Sequence, residues 1–445
     1  MKFDSFEHLL RHYAEVSPER TAFLYGDGVR MSYSGLLDAV RARAAELKSS
    51  GIGCVGIFCT SDKDRIISIF AAAMCGMQTV LLDPDSDTEV LQEQINATDV
   101  QALIGSDEET EGLTCRKDAE PSEPDSMLFF TSGTTAGSRA VVLSQRTLCA
   151  SAFNGGEMLG LDSGDVLLCC LPLSHVFGFV CSLLWGLSCG CAVALGRGSR
   201  YLTEDFLFFR PTAVSLVPML LGFFMKYRLF NAELKLILIG AGECDPALVE
   251  GARAMGKRVA FGYGLTETSS GVAISTGGDP FAMDICPEDR ITIAGDGEIL
   301  IEAPTCVMKG YYRDDEGTNS VLRGGVLYTG DLGSFDENGR LHIIGRKKEM
   351  LVLPSGTKIF LPEYEKPLAG ALGTAEIAVT LKGSRPALII GKTSMTKEEA
   401  KKLIAPVMAA LSRDRQISDV IVTGKELPRT KTGKLRRWQL DEFLK

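Results

Sequence analysis

From Thr21 onward the chain alternates short apolar runs with segments whose apolar residues recur every three or four positions. The runs "CVGIFC", "QTVLLD" and "QALIG" predict strands, and the stretches Lys63 to Met74 and Thr88 to Asn96 between them predict helices. Such alternation is the pattern of βαβ units, in which parallel strands form a sheet and helices cover its faces. It continues through "DVLLCCLPL", "AVSLVPML", "LKLILIGAG", a helix over Pro246 to Met255, and "RVAFGYG". After about Gly271 the texture changes. "DGEILIEA", "MKGYY", "VLYTGDLGSF", "DENG" and "RLHIIG" are short strands parted by Gly, Asn and Asp turns, which predicts a smaller antiparallel region. The final segment has its own strands and helices, including an amphipathic helix over Lys397 to Leu411. The fold class expected is therefore α/β: a large N-terminal domain of parallel and mixed sheets with flanking helices and a small antiparallel region, followed by a small α+β C-terminal domain.

Two further segments affect the choice of compartment. "MKFDSFEHLLRHYAEV" predicts an amphipathic surface helix using Phe6, Leu9, Leu10, Tyr13 and Val16, and its scattered charges leave no apolar core for a secretion signal. Val176 to Leu195 is uncharged for twenty residues, long enough to cross a bilayer. Gly186, Ser188 and Gly190 divide it into a buried helix, a turn and a short core strand, so no membrane span is expected.

Composition narrows the function. A chain of 445 residues with 45% hydrophobic content supports more than one core. The net charge of −10 argues against a general nucleic-acid partner, which requires a clustered positive field. Thirteen cysteines lie scattered without a C-x-x-C pair, several inside apolar runs such as "VLLCCLP", and they read as reduced thiols of a cytoplasmic protein. With only four histidines, a His-based metal centre is not expected.

"GIGCVG", Gly51 to Gly56, matches G-x-G-x-x-G, yet it follows a helical stretch and leads into a strand, the reverse of the dinucleotide-binding context. It is read as a turn. "LFFTSGTTAGSR", Leu128 to Arg139, is more informative. A loop of Thr131, Ser132, Gly133, Thr134, Thr135, Gly137 and Ser138 leaving a buried strand can aim hydroxyls and backbone N–H groups at an anion. It lacks the order of a Walker loop, and from composition alone an ordinary polar loop is an equal reading.

The loop is similar to the phosphate-binding signature of the adenylate-forming superfamily, which holds acyl-CoA synthetases, luciferases and the adenylation domains of peptide synthetases. Further matches follow in the family's order: "LPLSHVFG" from Leu171, "IGAGE" from Ile239, "GYGLTET" from Gly262, "YTGDL" from Tyr328, "GRKKEM" from Gly345 and "PRTKTGK" from Pro428. Together they span essentially the whole chain.

The resemblance implies a fold of two parts, a large adenylation domain over 1–347 and a small mobile domain over 348–445, with Lys348 at the hinge. It implies that a carboxylate attacks the α-phosphorus of ATP, giving an acyl-adenylate and pyrophosphate, after which a thiol takes the acyl group. Thr131, Ser132, Gly133, Thr134, Thr135 and Arg139 would hold the β and γ phosphates. Tyr263 and Gly264, with Ala241, Gly242 and Glu243, would lie at the adenine. Thr266 would touch the α-phosphate and Glu267 would meet Mg²⁺, in keeping with how carboxylate and phosphate oxygens share that ion. Asp331 would accept both ribose hydroxyls and Arg346 would assist at ribose and phosphates. Lys434 would swing over the reacting acid and nucleotide, and removing such a donor commonly costs about 10²–10³ in rate. His175, Phe177 and Gly178 would border the acid pocket, His175 as wall and not as acid or base.

The family's T-G-x-P-K-G loop is altered here, with Ala136, Ser138, Arg139 and Ala140 at the glycine, proline, lysine and second glycine. Arg139 keeps the charge but replaces a compact ammonium with a planar fork. Three functions are compatible with the motifs: an acid–thiol ligase using CoA, the same activation with transfer to the phosphopantetheine of a separate carrier protein, and a nucleotide-binding regulator with little turnover. "VFGFVCSLLWG" after the "LPLSH" region has no carboxylate to meet a substrate ammonium, so an amine-free acid is expected. The walls "VFGF", "SLVPM" and "SGVAI" suit a fatty or aryl chain, and "VLPSGTKIFLPE" resembles the variant of fatty acyl-CoA synthetases.

Overall fold

The computed structural model describes residues 1–131, 138–242, 244–429 and 435–444, with backbone alone at Ser199 and Trp438. Among these residues the strands form five sheets. Cys54–Phe58, Gln78–Leu82, Ala102–Ile104 and Met127–Phe130 run parallel in a six-stranded sheet with Ala102–Ile104 at one edge, and Ala140–Leu143 and Gly310–Tyr311 extend it antiparallel at the other. The second sheet has nine strands. Its middle, Arg258–Leu265, Leu236–Ile239, Ala213–Leu216, Val166–Cys169, Ala192–Leu195 and Thr21–Leu24, is parallel throughout. Strands such as "LILI" are buried along their whole length, as expected where helices cover both faces.

Helix starts coincide with side-chain caps. Asp62 accepts from the N–H groups of Asp64 and Arg65 ahead of Lys63–Met74, and Ser144 forms a capping box ahead of Gln145–Leu159. A common apolar layer joins the two large sheets. Phe129 of the six-stranded sheet lies 5.6 Å from Phe179, and Phe6 lies 5.2 Å from Phe70 and 6.0 Å from Phe179. The N-terminal helix, Phe6–Val16, is thus a core element on its Phe6, Leu9 and Leu10 side and not simply a surface helix, while Val16 is 59% exposed.

Gly51, with φ +68°, turns the chain from the helix Tyr33–Ser49 into the strand Cys54–Phe58, so "GIGCVG" is a turn. Val176 to Leu195 is divided as expected, with one addition. Between the helical turns Val176–Gly178 and Trp185–Ser188 the backbone widens to a π-helix over Phe179–Leu184, and Ala192–Leu195 is a strand. No helix of the described residues is long and apolar enough to cross a membrane.

Arg290–Ile293, Glu298–Glu302, Leu322–Arg323, Val326–Phe335 and Leu341–Arg346 form the smaller antiparallel sheet. "MKGYY" is not part of it. Gly310 and Tyr311 instead pair with Val142 and Val141 at the edge of the six-stranded sheet. An edge strand of two residues takes its partner from whichever open edge the fold presents, and local sequence does not encode that.

Beyond Lys348, Met350–Val352 and Lys358–Phe360 form a hairpin, and Ile377–Lys382, Arg385–Ile390 and Asp419–Val422 form a three-stranded sheet under the helices Leu361–Leu372 and Lys397–Ala409. The apolar clusters around Leu368, Leu388 and Ile404 and around Leu427 and Leu440 share no buried member with those of residues 3–341.

One half-buried carboxylate makes stability depend on pH. Asp289 accepts from Asn154 Nδ2 at 3.4 Å and Thr305 Oγ1 at 3.3 Å, and burial, helped by Glu288, raises its pKa to about 7. The unfolded chain releases this proton near pH 4, so stability falls as pH rises from about 4 through 7. Asp289→Asn is expected to melt at the same temperature as the unaltered protein near pH 4 and at a higher one at pH 8, as measured by thermal unfolding across that range.

Candidate active site

The phosphate-type loop is closed at its base. Thr131 N–H donates to Arg139 O at 3.0 Å, Arg139 N–H to Thr131 Oγ1 at 3.2 Å, and Ser138 Oγ to Thr131 O at 3.0 Å. These bonds continue the antiparallel pairing of Met127–Phe130 with Ala140–Leu143 as far as Thr131 and Arg139. Ser132, Gly133, Thr134 and Thr135, and also Glu243 and Lys434, lie outside the described residues.

Parallel register brings the next two motifs together. Leu236–Ile239 pairs with Arg258–Leu265 so that Ile239 faces Phe261, which carries Ala241 and Gly242 alongside Tyr263 and Gly264. Ala241 holds φ +62°. Gly264 is obligatory: a Cβ there would lie 1.4 Å from Ser270 O. Tyr263 is buried and its hydroxyl donates to Asp331 Oδ2 at 2.9 Å. Burial, and secondarily the Asp331 carboxylate, push the tyrosine's pKa well above its ordinary value, so it stays a donor.

Asp331 comes from the antiparallel sheet, where it stands opposite Arg346 in the register of Val326–Phe335 and Leu341–Arg346. Arg346 Nε lies 2.8 Å from Asp331 Oδ1, and Asp331 N–H donates to Thr329 Oγ1 at 3.0 Å. At 4% exposure this carboxylate is nearly dry, and such a charge is tolerated only when its oxygens are bonded. The cluster unites three residues of two distant motifs, "GYGLTET" and "YTGDL", with the arginine of a third.

Four residues beyond Tyr263, the short helical turn Thr266–Thr268 carries Glu267. Its Oε1 accepts from the hydroxyl of Tyr311 at 2.7 Å, and Met308 N–H donates to its backbone oxygen at 2.8 Å. Arg139 lies over the same tyrosine, its Cζ 4.9 Å from the ring centroid and its Nε 3.4 Å from Asp314 Oδ2. Tyr311 and Asp314 were not legible as site residues, since "KGYYRDD" has no spacing that marks chemistry. Only the edge pairing with Val141 and Val142 brings them to the loop.

A cavity of about 290 Å³ opens on the other flank of the loop, lined in part by Asp83, Gln94, Thr131, Ser138, Ser174 and His175. His175 is half exposed, with Nε2 4.0 Å from Asp83 Oδ2. Ser174 Oγ and Gln94 Oε1 are buried without a hydrogen-bond partner among the described residues. Phe177 points elsewhere, its ring so close to Gly240 that a Cβ there would lie 2.8 Å from Cε2, next to Ala241 and Gly242. A Cβ on Gly178 would lie 2.1 Å from Pro172 O, so only glycine fits beneath this turn. His175 and Phe177 therefore line two different spaces.

Lys348 sits exposed in the turn Lys347–Glu349, between the last strand of the antiparallel sheet and Met350–Val352. Its neighbour Lys347 is tied down, 2.6 Å from Asp296 Oδ2 and 2.7 Å from Glu298 Oε2. The residues flanking the Lys434 segment are anchored too: Arg429 pairs with Glu376 at 3.0 Å and Arg437 with Glu365 at 2.7 Å.

Two large sheets, a strand pair closed at Thr131 and Arg139, and a buried Tyr–Asp–Arg cluster at the strand ends define an α/β protein of the adenylate-forming architecture. Its backbone matches the solved O-succinylbenzoate coenzyme A synthetase from Bacillus subtilis in complex with ATP and magnesium ion, with a TM-score of 0.81, 23% identity, and coverage of 97% of this chain and 99% of that one. ATP-bound MatB from Rhodopseudomonas palustris matches with a TM-score of 0.79, 20% identity and 99% of both chains. The chain belongs to the AMP-binding enzyme family, whose model matches residues 10–312. Among curated relatives, the 2-succinylbenzoate–CoA ligase of Oceanobacillus iheyensis is 27% identical over 97% of this chain and 98% of its own length. That of Listeria monocytogenes serotype 4b is 25% identical over 97% and 98%.

The Asp331 cluster yields a direct test. Arg346→Met removes a charge-assisted bond from a nearly dry carboxylate and is expected to cost about 1.5–3 kcal/mol of stability, measured by urea unfolding at pH 7.

Proposed function

We propose that the protein is an ATP-dependent acid–thiol ligase that converts an amine-free aryl acid to its acyl-adenylate, releasing pyrophosphate, and passes the acyl group to the thiol of CoA. The observation that carries this is the meeting of Tyr263, Asp331 and Arg346 beside the turn that bears Glu267. A carboxylate held nearly dry at the carboxyl ends of parallel strands, with hydrogen-bonding side chains around it, suits a ribose-like diol placed next to phosphates.

In this scheme Thr131, Ser132, Gly133, Thr134, Thr135 and Arg139 hold the β and γ phosphates, Tyr263 and Gly264 with Ala241, Gly242 and Glu243 flank the base, and Thr266 meets the α-phosphate. Glu267 fits a magnesium ion brought in by ATP: Oε2 has no protein partner among the described residues, and no cluster of three ligating side chains among them would hold a resident metal. Magnesium, when bound, neutralises phosphate charge. Arg346 and Asp331 orient the ribose, and Lys434 reaches the reacting oxygens from the small domain, which turns about Lys348 between the two half-reactions.

The acid lies against Phe177 and Gly240, next to the adenine segment. An aryl acid is favoured over a fatty one by the relatives, whose names specify 2-succinylbenzoate, a substituted benzoate. The cavity beside His175 suits the pantetheine arm of CoA, whose amide groups would satisfy Ser174 Oγ and Gln94 Oε1.

The decisive experiment is acid-dependent exchange of pyrophosphate into ATP over a panel of benzoates and fatty acids, repeated with CoA or a carrier protein added. Exchange with aryl acids and product formation with CoA are expected. Exchange with no acid would leave only nucleotide binding, and product with a carrier protein alone would replace the acceptor. Lys434→Ala is expected to slow adenylate formation about 10²–10³-fold while sparing thioester formation from preformed acyl-adenylate. Equal losses in both half-reactions would remove that role.

A further inference from the structure

We propose that Tyr311 is a spacer: its ring takes the Arg139 guanidinium and its hydroxyl takes the Glu267 carboxylate, so the two opposite charges are kept from pairing with each other. The role rests on the ligase reading, in which Arg139 is meant for phosphate and Glu267 for a divalent cation. It concerns a positioning residue that touches neither reacting atom.

The geometry is specific. Arg139 Cζ is 4.9 Å from the ring centroid and the Tyr311 hydroxyl is 2.7 Å from Glu267 Oε1, while no ion pair joins Arg139 to Glu267 within 4.0 Å among the described residues. Both partners are nevertheless brought to one tyrosine by backbone bonds. Tyr311 pairs with Val141, two residues beyond Arg139, and Met308, two residues before the strand begins, donates its N–H to the backbone oxygen of Glu267 at 2.8 Å. Tyr311 N–H is fixed in turn on Thr318 Oγ1 at 2.8 Å. At 8% exposure the ring cannot swing out to let the charges meet.

Without such a spacer, a guanidinium and a carboxylate on neighbouring segments would close into a forked pair, the strongest geometry open to them. Mg·ATP would then have to break that pair to reach either group. With the spacer neither charge is engaged by the other. Arg139 shares a ring and the more distant Asp314 carboxylate, both weak partners that a phosphate can outcompete. Glu267 keeps Oε2 without a protein partner among the described residues. A lysine at position 139, with its compact ammonium, would stack less well, so the arginine and the tyrosine are matched.

A double-mutant cycle tests this by calorimetric titration of Mg·ATP. Tyr311→Leu keeps apolar bulk in the strand, and Tyr311→Met takes its place should the leucine protein fail to fold. Either is expected to weaken Mg·ATP binding about tenfold with Arg139 present, and less than about twofold in an Arg139→Gln background, where no pair can form. Equal losses in both backgrounds would mean that Tyr311 only supports the fold, and the spacer role would fall. A second cycle leaves the tyrosine intact: the effects of Arg139→Gln and Glu267→Gln on the melting temperature of nucleotide-free protein should add, whereas strong coupling would show that the two charges already pair and would overturn the proposal. If the unaltered protein takes up no Mg·ATP, the ligase reading itself fails; if it binds and the first cycle shows equal losses, the spacer alone is lost.

Discussion

The burial of the Asp331 carboxylate is the constraint around which the candidate site is organised. A nearly dry negative charge has to be bonded, and the bonds come from two different sheets: the hydroxyl of Tyr263 from the end of the nine-stranded sheet, and the guanidinium of Arg346 from the antiparallel one. Satisfying one charge therefore docks two sheets. It also fixes the direction of the chain just before Lys347, whose own ion pairs with Asp296 and Glu298 hold the last turn before the small C-terminal sheet begins.

Close backbone approach is the second ordering principle. Gly264 against Ser270 O, Gly178 against Pro172 O and Gly240 against the Phe177 ring leave no room for a Cβ, and all three lie on segments that the motifs place around nucleotide and acid. Next to them the helix following Gly178 widens into a π-turn over Phe179–Leu184, an irregularity that tends to occur where a helix borders a functional space. This segment is tied to the neighbouring strands by Cys181, whose Sγ lies 3.2 Å from Ser270 Oγ and whose backbone oxygen accepts from Ser215 Oγ at 2.7 Å.

Much of the architecture was legible in order and kind of element. The βαβ rhythm from Thr21 to Gly264, the antiparallel texture after it, the division of Val176 to Leu195 and the rejection of "GIGCVG" all follow from periodicity and from which residue types flank which runs. The placement of "MKGYY" was not legible, nor was the depth to which Phe6, Leu9 and Leu10 are buried, because both depend on which surface is left open once the sheets have formed. In the site, residues belonging to motifs could be named in advance. Tyr311, Asp314 and the Glu298–Lys347 pair could not, since each owes its position to a cross-strand partner far away in sequence.

What the amino-acid sequence determined by itself is therefore the inventory: which groups can donate, accept or carry charge, the local elements that bear them, and the family to which their order belongs. Only the tertiary structure decided which groups meet. Asp331 finds Arg346 through strand register, Ile239 just before Ala241 finds Phe261 just before Tyr263 through parallel pairing, and Arg139 and Glu267 find the same tyrosine through a two-residue edge strand. The physical reason is one of range. Propensity, capping and hydrophobic period act over a few residues, whereas register and edge choice are settled by which pairing buries the most apolar surface while leaving no charge unbonded, a condition that involves the whole chain at once.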